Sequence, residues 1–328
     1  LPFLLPFLVL VLLLRLLRLL RLLERRGGEG RGLGMAARSS AGRGARGAGR
    51  GARGAGPGPG PGPGLGLGRA APGGPGRGRL AAARGWGDPV EWAAAGVAAT
   101  EPLAEGLRGV VLEVPEAVSG GYVSPGQFLQ VRVGGEDAKP AFLAVAAAPG
   151  AQAPGTLELL VKDAGEDSPA GLLCRLPAGG ELEVSPVMGK GFPVERARDA
   201  ETVLLFASGS GISPIRALVE SGELSRGAHE RVVLFHGVRD AAHQPYAARL
   251  LAWGADLGVR VVEVHSRPAP GWSGARGYVQ DALEAERENL GDLSRAAAFV
   301  VGQKEMAEAL KAGLGAAGTP EENVLFNF

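Results

Sequence analysis

Two rhythms of apolar and polar positions divide the chain. Between Val90 and Val184 the apolar positions come in short runs: Val90–Ala99, Leu107–Val114, Gln127–Val133, Ala141–Ala147, Thr156–Lys162 and Glu181–Val184. Turn residues separate them, among them Ser124-Pro125-Gly126 and Pro177-Ala178-Gly179-Gly180. Apolar runs of this length bounded by Gly and Pro predict strands. One short helix is predicted at Ser168–Arg175. Ser168 is its N-cap, and Pro169 takes the first helical position, where a missing N–H is no loss. Six strands with one helical insertion predict a small antiparallel barrel.

After Asp199 the rhythm changes. Apolar runs at Val203–Ala207, Arg231–Gly237, Val259–His265, Ala297–Gly302 and Val324–Phe328 alternate with helix-like stretches. Those stretches are Pro214–Ser221, Gln244–Leu257, Tyr278–Glu288 and Gln303–Leu314. Several of the strand runs lack polar alternation, as strands covered on both faces do. The pattern predicts a doubly wound α/β domain with a five-stranded parallel sheet and its ligand at the C-terminal strand ends. The predicted division is 88–196 for the barrel and 197–328 for the α/β domain.

Composition changes the picture mainly before residue 88. Of the 55 Gly, 24 lie there, many of them in Gly-Pro and Gly-Arg runs. The only acids in that stretch are Glu24 and Glu29, against many Arg and no Lys. The opening "LPFLLPFLVLVLLLRLLRLLRLL" has a clean apolar run ending at Arg15, shorter than the roughly 20 residues of a spanning helix. A signal-peptide core, a weak anchor and an upstream translation are the alternatives, and the first Met, at position 35, favours the last. The Arg-, Ala- and Ser-rich segment after Met35 has the composition of an organelle transit peptide. "GPGPGPGPGLGLG" is low-complexity, and residues 1–87 are expected to lack a core. From Asp88 the charges are mixed, so nothing there points to nucleic acid or to a membrane.

One cysteine, Cys174, excludes a disulfide framework within the chain and an iron–sulfur cluster held by it. The four histidines, His229, His236, His243 and His265, lack metal-site spacing, so no metal is expected. Redox chemistry would then rest on an organic cofactor.

The stretch "VLLFASGSGISPIRALVE" supplies the sharpest chemistry. Gly209 and Gly211 permit a tight turn between strand and helix, and Pro214 suits the first helical turn. The N–H groups of such a turn and the positive end of its helix face an anion, ideally a pyrophosphate. Gly209, Ser210, Gly211, Ile212, Ser213 and Pro214 are therefore candidate ligands. The turn lacks the Gly-Lys-Ser/Thr of a P-loop, and Pro214 stands where a dinucleotide fingerprint has its third Gly. Gly237 and Arg239 end the second strand, where NAD-specific proteins often place an acid.

A six-stranded barrel followed by this domain, with Gly-x-Gly-x-x-Pro after its first strand, resembles the ferredoxin–NADP reductase superfamily over residues 88–328. The stretches "PAFLAVAA", "VMGKGF", "FASGSGISPIR", "GYVQ", "GQKEMAE" and the closing "NF" resemble its plant and algal reductase-like branch, the fruit-protein type. The resemblance implies FAD and NADP(H) as cofactors. It places the family's flavin signature on Lys139, Pro140, Ala141, Phe142 and Leu143, and a second flavin-phosphate element on Gly165, Asp167 and Ser168. Lys139 lacks the fork of an Arg. Ser266, Arg267, Arg276 and Tyr278 resemble the set that holds the adenosine 2′-phosphate. Gly302, Gln303 and Met306 match the strand end beside the nicotinamide, with Val301 in place of the family's Cys. Phe328 matches the C-terminal aromatic stacked on the flavin. Met306 and Phe328 are thus the expected positioning residues.

The implied activity is hydride transfer between NADPH and flavin, then electron transfer to an unknown small-molecule or protein acceptor, in the chloroplast stroma. Two rival readings are a non-enzymatic scaffold or sensor that binds nucleotide weakly, and an electron-transfer subunit for a partner redox enzyme.

Overall fold

A computed structural model describes residues 90–224 and 227–327. The transit-peptide and low-complexity readings of residues 1–87, and the role expected of Phe328, lie outside the described residues.

The first sheet contains β1 (Ala93–Ala104), β2 (Leu107–Glu113), β3 (Phe128–Arg132), β4 (Ala141–Ala144), β5 (Thr156–Lys162) and β6 (Glu181–Val184). It is antiparallel in the order β4-β3-β6-β1-β2-β5, and a bridge between Val145 and Leu159 closes it into a barrel. β1 runs past Pro102, which sits at a register shift, one of the few places a strand tolerates proline. Helix α1 (Glu116–Ser119) is one turn long and was not expected from the sequence. Helix α2 (Pro169–Arg175) begins as the sequence predicts, with Ser168 Oγ accepting from Gly171 N–H at 2.9 Å. Val110, Leu112, Leu129, Leu159 and Leu173 fill the barrel.

The second sheet is parallel in the order β10-β9-β8-β7-β11-β12. Its members are β7 (Thr202–Ser208), β8 (Arg231–Val238), β9 (Val259–His265), β10 (Ala275–Arg276), β11 (Ala296–Val301) and β12 (Val324–Leu325). The helices are α3 (Ile212–Glu220), α4 (Ala247–Ala252), α5 (Val279–Glu286) and α6 (Lys304–Ala316). The sheet has six strands rather than five, because β10 spans only two residues and gives no apolar run. The last strand likewise covers Val324–Leu325 rather than Val324–Phe328. The helix expected from Gln244 begins only at Ala247, since Tyr246 has φ 60°, and it widens into a looser turn at Trp253–Leu257.

β7 explains its own apolar run. Val203, Leu205 and Ala207 enter one core, while Leu204 and Phe206 enter the core on the opposite face. The first of these cores also takes in Leu107, Ala146, Leu160 and Phe192 of the barrel segment, so the two sheets are packed together. Phe192 meets Phe299 edge-on at 5.3 Å.

Candidate functional site

The order of the parallel sheet sets the site. β7 pairs with β8 on one side and β11 on the other, so the chain reverses its winding beside β7, where α/β sheets open a crevice. The turn Gly209–Gly211 lies at that crevice and leads into α3. Gly211 must be glycine, because a Cβ there would lie 2.5 Å from the Val301 carbonyl oxygen. Gly209 has φ +52° and no heavy atom within 4 Å of where its Cβ would be, so the turn stays open on that side.

Helix α3 is tied to the barrel by two side chains. Ser213 Oγ donates to the Ala144 carbonyl, one residue past the end of the predicted flavin stretch, at 3.1 Å. Arg216, buried, forks onto the Glu158 carboxylate of β5, with Nη2–Oε2 at 3.0 Å and a second arm from Nη1 to Oε1. Its Nε also reaches Glu220 at 3.1 Å, and its guanidinium lies 4.8 Å from the Tyr246 ring. Burial works against the Arg216 charge, but the Glu158 hydrogen bond and the charges around it hold its pKa above the ordinary value. The predicted ligand Ser213 therefore spends its hydroxyl on the barrel.

Between the sheets lies a cleft of about 1090 Å³. On the nucleotide-sheet side it is lined by Gly209, Ser210, Gly211, Ser213, Pro214, Gly237, Arg239, Ser266, Tyr278, Gly302, Gln303 and Met306, all predicted site residues. Ile212 is a correction: it is fully buried in the core and does not line the cleft. Arg267 and Arg276 are exposed and also lie outside its wall. Arg276 Nη2 donates to the Trp272 carbonyl at 2.5 Å, and Trp272 stacks on buried His265 at 3.7 Å. Met306 packs closely over Gly302, where a Cβ would stand 2.3 Å from Met306 Cε.

The barrel side departs further from the expectation. Phe142, Leu143 and Ala144 line the cleft, whereas Lys139, Pro140 and Ala141 do not. The apolar wall therefore sits toward the end of the predicted flavin stretch, with Phe142 51% exposed and its ring tilted against that of Phe128 at 6.2 Å. Gly165, Asp167 and Ser168 are outside the cleft as well. The Ser168 hydroxyl is engaged within its own turn, accepting from Gly171 N–H and donating to the Gly165 carbonyl. The cleft cation on this side is Lys162, beside Asp163.

Other residues of the site carry little signal in sequence. His236 is fully buried in β8 beneath the turn. Its Nε2 meets the Gly209 carbonyl at 3.1 Å and its Nδ1 meets Gln244 Nε2 at 2.9 Å. At the cleft edge His243 pairs with Asp240 at 2.7 Å, and this hydrogen bond holds the Asp240 carboxyl below its usual value. Glu105 N–H, from the β1–β2 turn, donates to the neighbouring Ala242 carbonyl at 2.8 Å. Ser208, Glu305 and Asn327 complete the lining near Gly302 and the C-terminal segment. A strand end or a helix first turn would have been the only clue to any of them.

Among the described residues no group of His, Cys, Asp and Glu could hold a metal ion. Among them also no helix is long and apolar enough to cross a membrane.

A model of the oxidoreductase NAD-binding domain matches residues 205–312. Fruit protein pKIWI502 of Actinidia deliciosa is 32% identical over 235 residues, covering 68% of this chain and 72% of that protein. An NAD(P)H-flavin reductase of Aliivibrio fischeri is 27% identical over 221 residues, covering 66% and 88%. Among solved structures, a ferredoxin NADP+ reductase from Neisseria gonorrhoeae with bound FAD and NADP has the same fold. Its TM-score is 0.60 at 20% identity, over 70% of this chain and 93% of that one.

Proposed function

Because this chain belongs to the ferredoxin–NADP reductase superfamily, in its plant fruit-protein branch, we propose that it works as a FAD-dependent NAD(P)H oxidoreductase. The observation that carries the reading is the cleft itself. It joins a glycine turn at the switch point of the parallel sheet to an exposed aromatic wall on the barrel.

The residues present fit both cofactors. On the nucleotide side, the open Gly209 turn would receive the pyrophosphate on its N–H groups. Ser266 and Tyr278 line the adenosine end, with Arg267 and Arg276 beside it as candidate partners of a 2′-phosphate. At the other end Gly302 and Met306, packed on each other, line the wall against which a nicotinamide would lie. On the barrel side Phe142 and Leu143 would face the flavin ring, and Lys162 replaces Lys139 as the cation available to its phosphates. When bound, the flavin supplies the hydride-accepting and electron-releasing chemistry. The protein's share is to align two rings and keep water out. Ser213 and Arg216 serve this by holding the phosphate turn at a fixed distance from β4 and β5.

The acceptor is a small molecule or a protein redox partner; the reading does not require a metal or a protein acid. The acid-poor, Arg-, Ala- and Ser-rich stretch after Met35 supports a chloroplast location, which a fluorescent fusion of the full chain would test. The activity is tested by loading purified protein with FAD and following NADPH oxidation with an artificial electron acceptor. Protein that takes up no flavin would favour the scaffold reading.

A further inference from the structure

His236 occupies a position where packing alone would call for an apolar side chain. It lies in the interior of β8, fully buried, in register with Ala207 of β7. A buried imidazole is costly unless both nitrogens are hydrogen-bonded. Both are. The Gly209 carbonyl can only accept, so His236 Nε2 carries the hydrogen and donates to it at 3.1 Å. Nδ1 is then the acceptor, and Gln244 Nε2 donates to it at 2.9 Å. Gln244 Nε2 also donates to the Pro245 carbonyl at 2.8 Å, which fixes the amide in that orientation. The tautomer is thus set from both sides, and burial lowers the imidazole pKa to about 4, so the ring is neutral at pH 7.

The consequence falls on the turn. The Gly209 carbonyl is held by His236 and by the Ile212 N–H. In a trans peptide the following N–H points opposite to the carbonyl. Anchoring the Gly209 oxygen beneath the turn therefore aims the Ser210 N–H away from His236, and Ser210 lines the cleft. Glycine at 209 makes this anchoring consequential, because its peptide has more freedom to rotate than any other.

We infer that His236, locked by Gln244, is a positioning residue that presents the Ser210 N–H to the dinucleotide pyrophosphate. This rests on the reading that the Gly209–Gly211 turn receives NADP(H).

The test is calorimetric titration of flavin-loaded parent, His236→Phe, His236→Gln and Gln244→Leu with NADP+ and, separately, with 2′-AMP. The second probe has the adenosine 2′-phosphate but no pyrophosphate. His236→Phe keeps the volume and loses the donor; it is expected to weaken NADP+ by about tenfold and leave 2′-AMP unchanged. His236→Gln, which retains a donor near the Nε2 position, is expected to restore NADP+ binding to within about threefold of the parent. Gln244→Leu releases the tautomer and is expected to fall between them, so the inference stays testable if His236→Phe does not fold. NADP+ affinity unchanged in His236→Phe and Gln244→Leu, or equal weakening of both probes, would overturn the inference while leaving the dinucleotide reading intact. A parent that binds neither probe would overturn both.

Discussion

Arg216 of α3 and Glu158 of β5 meet as a two-armed ion pair between the parallel sheet and the barrel, with Nη2–Oε2 at 3.0 Å. The same helix begins at the phosphate turn, and about one turn nearer to it than Arg216, Ser213 donates to the Ala144 carbonyl. The distance between the two halves of the cleft is therefore fixed by the helix that carries the turn.

Removing the arginine should cost stability out of proportion to its size. Arg216→Leu leaves Glu158 and Glu220 without their shared cation, and loss of one partner of a buried pair costs about 3 kcal/mol. Urea unfolding of Arg216→Leu against Glu158→Gln/Arg216→Leu measures it. The double variant should regain part of the loss, and equal stabilities would show that the pair is not coupled.

The two glycines of the turn should respond differently to alanine. At Gly211 the new Cβ would meet the Val301 carbonyl at 2.5 Å, a backbone atom that moves only if α3 and β11 separate. At Gly209 there is open space, and the penalty is the φ of +52° alone, about 1 kcal/mol. Gly211→Ala should therefore lower the Tm well beyond Gly209→Ala, while Gly209→Ala should act mainly on NADP+ binding. The reverse order of Tm values would contradict the packing described.

Selectivity between coenzymes should depend on the segment that runs from the end of β9 into β10. If Arg276, held at its Nη2 by the Trp272 carbonyl, pairs with the 2′-phosphate, Arg276→Ala should raise KM for NADPH by about tenfold and leave NADH unchanged. Equal effects on both coenzymes would remove Arg276 from that role, and the same comparison applies to Arg267→Ala.

Acid should destabilise the fold through His236. Its folded pKa is lowered by burial from 6.5 to about 4, with His265 the neighbouring titratable group that adds to the lowering. Above pH 6.5 the ring is neutral folded or unfolded. As the pH falls from 6.5 toward 4 only the unfolded chain takes the proton, so stability is lost across that window. The loss is about 2 kcal/mol by pH 5. Denaturant unfolding at pH 7 and pH 5 should show a smaller drop in His236→Phe than in the parent by that amount.

Much of this architecture is legible in the sequence, for physical reasons that name its limits. Helix α2 announces itself through Ser168-Pro169, and β7 through an apolar run that both cores require. β10 is invisible because two residues have no period, and α4 starts late because Tyr246 adopts a left-handed conformation that nothing local dictates. The nucleotide side of the site was readable because glycine and proline in a turn have conformational meaning. On the barrel side the cleft meets only the later part of the predicted flavin stretch. Phe142 and Leu143 line the cleft while Lys139 does not, since which residues of β4 reach the crevice is decided by its register with β3, not by composition. The His236–Gln244 pair was out of reach, because a lone histidine in an apolar strand looks the same whether or not a turn rests on it.

Function as proposed depends on one cleft bringing flavin and NAD(P)H together. The most direct measurement is the visible absorbance of the purified full-length protein after incubation with FAD and desalting, followed by anaerobic addition of NADPH. The expected result is retained flavin bands that bleach on NADPH addition. Protein that emerges colourless, or whose flavin bands persist with excess NADPH and NADH alike, would contradict it.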